Sequence, residues 1–122
     1  MMTTLIADTT KEPYDSHGRV DTEAVAKRLG VKMAVLAHAL GMKPDTLRKN
    51  PVRESAQPIA QRLVAVIAEL TRLFDGDEKS ALIWIRKPNP DLEGASPLQV
   101  ISEGDLDVVE GIVEAIASGQ PS

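Results

Sequence analysis

Apolar residues recur at helical spacing along most of the chain. In the N-terminal half this pattern predicts three short helices, each ended by a glycine or a proline. The first is capped by Asp21 or Thr22 and stops at Gly30, and the others are residues 32–40 and 44–50. A glycine ends a helix because it adopts the left-handed conformation at little cost, and Pro51 does so because the residue before a proline avoids the helical region. From residue 59 to residue 74, apolar positions three and four apart predict a long amphipathic helix that ends near Gly76.

The C-terminal half continues the helical pattern in three further segments: residues 77–87, 97–103 and 105–117. Asp77 is a typical N-cap residue, and Pro97 is typical of a first helical turn. The last helix is closed by a glycine and is expected to bury five apolar residues: Leu106, Val109, Ile112, Val113 and Ile116. Residues 88–94 are rich in helix breakers, which predict a fixed turn with Leu92 pointing inward.

Together these elements predict an all-α protein, in which an N-terminal helix-turn-helix bundle is followed by a small helical domain. Residues 1–18 lack apolar periodicity and are expected to form a disordered arm. Residues 19–75 would form the helix-turn-helix region with its connecting helix, and residues 76–122 the small domain with a C-terminal tail. The core must be aliphatic because only three aromatic residues occur: Tyr14, Phe74 and Trp84. Of these, we expect Trp84 to be a core anchor.

Charge is distributed unevenly along the chain. Residues 1–62 hold ten basic and seven acidic residues, whereas residues 63–122 hold four basic and eleven acidic ones. The N-terminal half therefore carries a net charge of +3 and the C-terminal half one of −7. Between Lys27 and Arg53 there are seven basic residues and one acidic residue, Asp45, which gives a local charge of +6 suited to phosphates. The two halves are thus predicted to bind different partners.

Residues 33–49 fit a helix-turn-helix motif. Ala37 is small enough for two helices to approach closely, and Gly41 provides the turn between them. Leu40 and Leu47 can pack between the helices, so that the second helix projects and enters a major groove of DNA. Arginine can contact guanine edges, asparagine adenine edges, and lysine and threonine phosphates. The candidate DNA-binding residues are Lys43, Thr46, Arg48, Lys49, Asn50 and Arg53.

Two alternatives to this interpretation remain open. The short helices could be a packing motif that never contacts nucleic acid, because helix-turn-helix matches include false positives. The motif could also begin one helix earlier, since residues 23–32 repeat the small-residue and Leu-Gly pattern. Residues 32–40 would then be the reading helix, but Met33, Val35 and Leu36 make it too apolar to lie in a groove.

A second pattern covers the C-terminal part of the chain. A tryptophan helix, a Pro-Asn turn, a Gly-x-x-Pro-Leu step and a final helix ended by glycine follow one another through these residues: Ala81, Trp84, Ile85, Pro88, Asn89, Leu92, Gly94, Pro97, Leu98, Val100, Ile101, Gly104, Val108, Ile112, Ile116 and Gly119. In this order they resemble the toxin-binding domain of Xre/MbcA/ParS-type antitoxins. The resemblance extends over residues 77–119, and that family also places a helix-turn-helix before the domain.

The resemblance implies that the chain is the antitoxin of a type II toxin–antitoxin system. Its partner would be a RES-domain toxin, which consumes NAD or uses it to ADP-ribosylate a target. In such families the C-terminal region obstructs the active-site cleft of the toxin, so these residues are expected near the cleft: Gly119, Gln120, Pro121 and Ser122. The family and the DNA-binding logic both imply a homodimer that represses its own promoter DNA.

Acidic residues on and before the last helix offer a second way to contact a toxin. A negatively charged face could complement a basic rim around an NAD pocket. The candidate residues, with Asp105 beside them, are Glu103, Asp107, Glu110 and Glu114. A solvated acidic face without a partner is the alternative, because exposed acids on helices are common and individually weak.

Several classes of protein are disfavoured. No cysteine is present, which excludes disulfides, thiolate metal sites and cysteine nucleophiles. His17 and His38 lack metal-ligand spacing, and no phosphate loop or triad occurs, so we expect no enzyme, no catalytic residue, no metal and no cofactor. Neither an export signal nor a membrane-length apolar run occurs, which favours a cytoplasmic protein that binds no membrane. The alternatives are a stand-alone helix-turn-helix transcriptional regulator, a toxin-binding module with a vestigial helix-turn-helix, and a small enzyme.

Overall fold

The computed structural model describes residues 13–119, so that most of the expected N-terminal arm, residues 1–12, lies outside the described part. Within residues 13–119 the secondary structure is helical, with an isolated β-bridge between Tyr14 and Val20 and no strand. The all-α prediction is therefore confirmed. Seven α-helices follow one another in this range: α1 (Thr22–Leu29), α2 (Met33–Ala39), α3 (Pro44–Lys49), α4 (Gln57–Leu73), α5 (Glu78–Arg86), α6 (Pro97–Ser102) and α7 (Leu106–Ala117). Short 3-10 turns, Glu54–Ala56 and Pro90–Leu92, precede α4 and α6.

The N-terminal helices begin and end close to the residues that the sequence predicts. The carboxylate of Asp21 accepts hydrogen bonds from the backbone N–H groups of Glu23 (3.0 Å) and Ala24 (3.3 Å), which caps α1. Gly30 ends α1 in the left-handed conformation, with a φ of 72°. α1 ends at the predicted residue and begins after Asp21, one of the two predicted cap residues, whereas α2 is two residues shorter and α3 one residue shorter than predicted.

The long helix α4 packs against helices of the C-terminal half. Its buried apolar residues lie three and four apart: Ala60, Leu63, Val64, Val66, Ile67 and Leu70. α4 contacts α5 and α7, and α6 contacts α2 in the N-terminal half. The buried residues between Val20 and Val113 consequently form one hydrophobic cluster, to which both halves of the chain contribute.

Polar contacts also join the two halves at both ends of α5. Arg28 of α1 forms an ion pair with Glu78 in the first turn of α5 (2.5 Å). Arg86 in the last turn of α5 donates a hydrogen bond from Nη1 to the carbonyl oxygen of Leu29 (3.0 Å). Together with the shared core, these contacts hold the N-terminal helices and the C-terminal helices in one cooperative unit.

Residues 13–20 form a hydrogen-bonded turn, where the sequence pattern indicated the end of a disordered arm. The carboxylate of Asp15 accepts two backbone hydrogen bonds within this turn (2.9 and 2.8 Å). The side chain of Gln57 then holds Val20 by accepting from its N–H (2.7 Å) and donating to its carbonyl oxygen (3.0 Å). Side-chain hydrogen bonds create this order, and apolar periodicity does not reveal them.

Some apolar side chains are less buried than the sequence predicts. Ile116 of α7 was expected in the core but is 45% exposed, and Ile112 is half-buried. The reason is that α7 packs against α4 and α6 with only part of its apolar surface. Leu92 is half-buried, and Trp84 is half-buried against the core.

Candidate functional site

α2 and α3 are two short helices in contact with each other, and they lie within residues 33–49, where the sequence predicts a helix-turn-helix. The connection between them turns at Gly41, which has a φ of 71°. Ala37 and Leu47 are fully buried, and α2 contacts α3. Because Leu47 is the buried residue of α3, the polar residues of this helix lie at or near the surface.

The candidate DNA-binding residues lie on α3 and on its flanks. Thr46 is half-buried, and the other five are exposed: Lys43, Arg48, Lys49, Asn50 and Arg53. Arg48 forms an ion pair with Asp45 (3.0 Å), but both side chains are more than half exposed, so this weak pair can exchange for a phosphate contact. Asn50 accepts a hydrogen bond at Oδ1 from the N–H of Val52 (3.3 Å). This hydrogen bond would have to break before the side-chain amide of Asn50 could form two hydrogen bonds with an adenine.

The candidate acids of the C-terminal half differ in their surroundings. Most of them are exposed: Glu103, Asp105, Asp107 and Glu114. Glu110 is instead half-buried and held by Arg62 of α4, whose Nε donates to Oε2 (3.0 Å) and whose Nη2 donates to Oε1 (2.6 Å). These hydrogen bonds hold the pKa of Glu110 below its usual value and raise the pKa of Arg62. Glu110 therefore joins α7 to α4, a contact that local sequence patterns do not show because the two residues lie 48 positions apart.

An open groove runs between α4 and α7. Its volume is about 450 Å³, and its lining residues are Arg62, Ala65, Val66, Glu69, Glu110, Val113, Glu114 and Ala117. Glu69 accepts two hydrogen bonds from Arg72 (3.2 and 2.5 Å), and these lower the pKa of Glu69. Around this groove the pKa shifts of the carboxylates thus follow from neighbouring arginines, in contrast to the desolvated carboxylate pairs of active sites.

The outer face of α7 is apolar and partly open to solvent. We call this surface the apolar stripe, and it consists of Val108, Gly111, Ile112, Ala115 and Ile116. Val108 is 43% exposed and Ile116 is 45% exposed. A Cβ atom placed on Gly111 would meet nothing within 4 Å outside the backbone of the helix itself. Apolar periodicity predicted core positions for Ile112 and Ile116, although the apolar arc around α7 is wider than one packed face and could have indicated this surface.

Only the first residue of the predicted C-terminal tail belongs to the described part of the chain. Gly119 is exposed, has a φ of 75° and donates its N–H to the carbonyl oxygen of Ile116 (3.1 Å). The remaining tail residues, Gln120, Pro121 and Ser122, lie outside the described residues.

Residues 13–119 offer little support for a metal site or a membrane-spanning segment. No group of three His, Cys, Asp or Glu side chains between residues 13 and 119 could hold a metal ion. Nδ1 of His38 donates a hydrogen bond to the carbonyl oxygen of Ser102 and so links α2 to α6. No helix in the same range is long and apolar enough to cross a membrane.

Comparison with known proteins identifies one part of the chain. Residues 69–119 match the family model of the antitoxin Xre/MbcA/ParS C-terminal toxin-binding domain. A comparison with curated proteins gave no match. The matched range begins near the end of α4 and contains α5, α6, α7 and Gly119, so it includes the exposed acids and the apolar stripe. The resemblance noted in the sequence is confirmed, and the match begins eight residues earlier than residue 77.

Proposed function

We propose that the chain is the antitoxin of a type II toxin–antitoxin system, because residues 69–119 match the family model of the antitoxin Xre/MbcA/ParS C-terminal toxin-binding domain. Its partner is a RES-type toxin that consumes NAD or ADP-ribosylates a target, and the antitoxin neutralises it by blocking the active site. The family match is the observation that carries this proposal, and the role it gives the chain is regulatory rather than catalytic. Both proteins would act in the cytoplasm.

We assign the blocking of the toxin's active site to the C-terminal end of the domain. Residues 119–122 follow α7 directly and would enter the cleft of the toxin. Glu103, Asp107 and Glu114 are exposed on and before the same helix and would contact a basic rim around the cleft. Glu110, which is paired with Arg62, would add its charge to this face without leaving its partner.

DNA binding is assigned to the N-terminal helices. Exposed basic side chains on α3 and its flanks, with a local charge of +6 between Lys27 and Arg53, support contact with a phosphate backbone. Two copies of the chain would form a homodimer that presents two such helices to a palindromic promoter and represses the operon.

The proposed function is tested by co-expression of this chain with the product of the adjacent gene. We expect the two proteins to co-purify through a tag on this chain, and we expect the purified complex to consume no NAD. The isolated partner should consume NAD, either by hydrolysis or by ADP-ribosylation of a target. Absence of a complex, or a complex with full NAD consumption, would refute the antitoxin role.

A stand-alone transcriptional regulator is the second candidate function, and the exposed basic residues of α3 favour it. This alternative predicts specific promoter binding by the chain and no inhibited enzyme encoded beside it. Fluorescence anisotropy with a labelled promoter fragment, carried out together with the co-expression, separates the two candidates.

A further inference from the structure

The apolar stripe on α7 is only partly covered by the described residues, because Val108 and Ile116 are exposed while Ile112 and Ala115 are half-buried. Val108, Ile112 and Ile116 lie four residues apart, so they form a line along one side of the helix. This row borders the buried side of α7, which consists of Leu106, Val109 and Val113. Neighbouring exposed apolar side chains of this kind make the stripe a candidate protein–protein contact.

Gly111 adds a second observation at the same place. A glycine in the interior of a helix is unfavourable relative to alanine, but its missing side chain lets another backbone approach the helix closely. Within the described structure nothing approaches, since a Cβ at Gly111 would have no neighbour within 4 Å outside its own helix. Gly111 and Ala115 therefore leave room beside the isoleucines for a partner backbone.

The charge around the stripe indicates the chemistry of the partner. Asp107 and Glu114 lie on α7 beside the stripe and are exposed. Residues 69–119, which include the whole stripe, contain eleven acidic and four basic residues and so carry a charge of −7. A second copy of this chain would bring two surfaces of the same sign together, whereas an apolar element with lysines and arginines at its edges would be attracted.

We infer that the apolar stripe of α7 is the surface by which the domain holds its toxin, through a close-packed apolar element with basic edges. This inference rests on the proposed antitoxin function and adds to it the surface that supplies the affinity. The tail of residues 119–122 can block the cleft only while the stripe keeps the domain in place. The stripe and the tail therefore contribute differently, the stripe to affinity and the tail to inhibition.

The experiment compares two stripe variants with one control, each tested for binding to the purified product of the adjacent gene. Gly111→Leu fills the space left for the partner backbone, and Val108→Ser with Ile116→Ser removes the exposed apolar surface. Gln61→Leu is the control, because it adds the same leucine at an exposed position of α4 outside the matched domain. Circular dichroism and thermal denaturation show whether each variant remains folded.

We expect both stripe variants to bind the partner at least about 30-fold more weakly, the loss typical of a residue at the centre of an interface. Their helix content should be unchanged, and the control should bind like the wild type. Wild-type affinity of both folded stripe variants would overturn the inference while leaving the antitoxin function intact. If the variants instead convert a dimer to a monomer in sedimentation and keep their affinity, the stripe is a contact between two copies, and the inference is wrong. Failure of the wild type itself to bind would refute the proposed function, and the inference with it.

Discussion

Replacing Gly111 by alanine tests whether the outer face of α7 is as open as the structure indicates. Gly111 is the sixth of the twelve residues of α7, so the substitution falls in the interior of the helix. Alanine is favoured over glycine at such a position by about 0.5–1 kcal/mol. No steric penalty opposes this gain, because the new Cβ would have no neighbour within 4 Å outside the helix backbone. The free energy of unfolding should therefore rise by nearly the full amount.

Thermal denaturation followed by circular dichroism measures this effect as an increase in Tm of about 2–5 °C. Gly30→Ala is the matched control, because Gly30 has a φ of 72° and a Cβ there would lie 3.1 Å from Nη1 of Arg86. The left-handed conformation alone costs a non-glycine residue about 1–2 kcal/mol, so this variant should have a lower Tm than the wild type. An unchanged or lower Tm for Gly111→Ala would refute the reasoning, since it would mean that another part of the protein contacts this face.

The remaining predictions concern DNA binding, the ion pair between Arg62 and Glu110, and the C-terminal tail. Arg48→Ala combined with Lys49→Ala should weaken promoter binding and reduce its salt dependence by about two charges, with toxin inhibition unchanged; equal loss of both activities would contradict the division of labour. Glu110→Gln should cost less than about 1 kcal/mol of unfolding free energy at neutral pH, because the pair with Arg62 is partly screened by solvent. The pKa of Glu110 is lower in the folded state than in the unfolded state, so the difference in unfolding free energy between the wild type and the variant should be present above the unfolded-state pKa. This difference should vanish as the pH falls through the folded-state pKa, and a pH-independent difference would refute the assignment. Deletion of residues 119–122 should spare promoter binding and restore NAD consumption, and retained inhibition would mean that the helical surface itself blocks the cleft.

The helices could be predicted from the sequence because their ends have local chemical causes. Asp21 and Asp77 cap α1 and α5 with their carboxylates, and Gly30 ends α1 in the left-handed conformation. The exposure of the candidate basic residues also follows locally, since Leu47 alone fixes which side of α3 is buried. Signals of this kind act within one helical turn, so a single sequence contains them.

Features that depend on distant partners could not be predicted in the same way. Gln57 orders the turn around Val20, and Arg62 holds Glu110, in both cases across more than 35 residues of sequence. Periodicity shows that Ile116 lies on an apolar side of α7, but not whether another helix covers that side. The width of the apolar arc indicates that part of α7 stays uncovered, but which residues form the apolar stripe becomes visible only when the helices that pack against α7 are in place.

The central claim is tested most directly by titrating this chain into the purified product of the adjacent gene while NAD consumption is followed. The account predicts that the rate falls linearly and reaches zero at a fixed molar ratio, as expected for a tight complex with a blocked active site. An unchanged rate in the presence of excess folded chain would contradict the account.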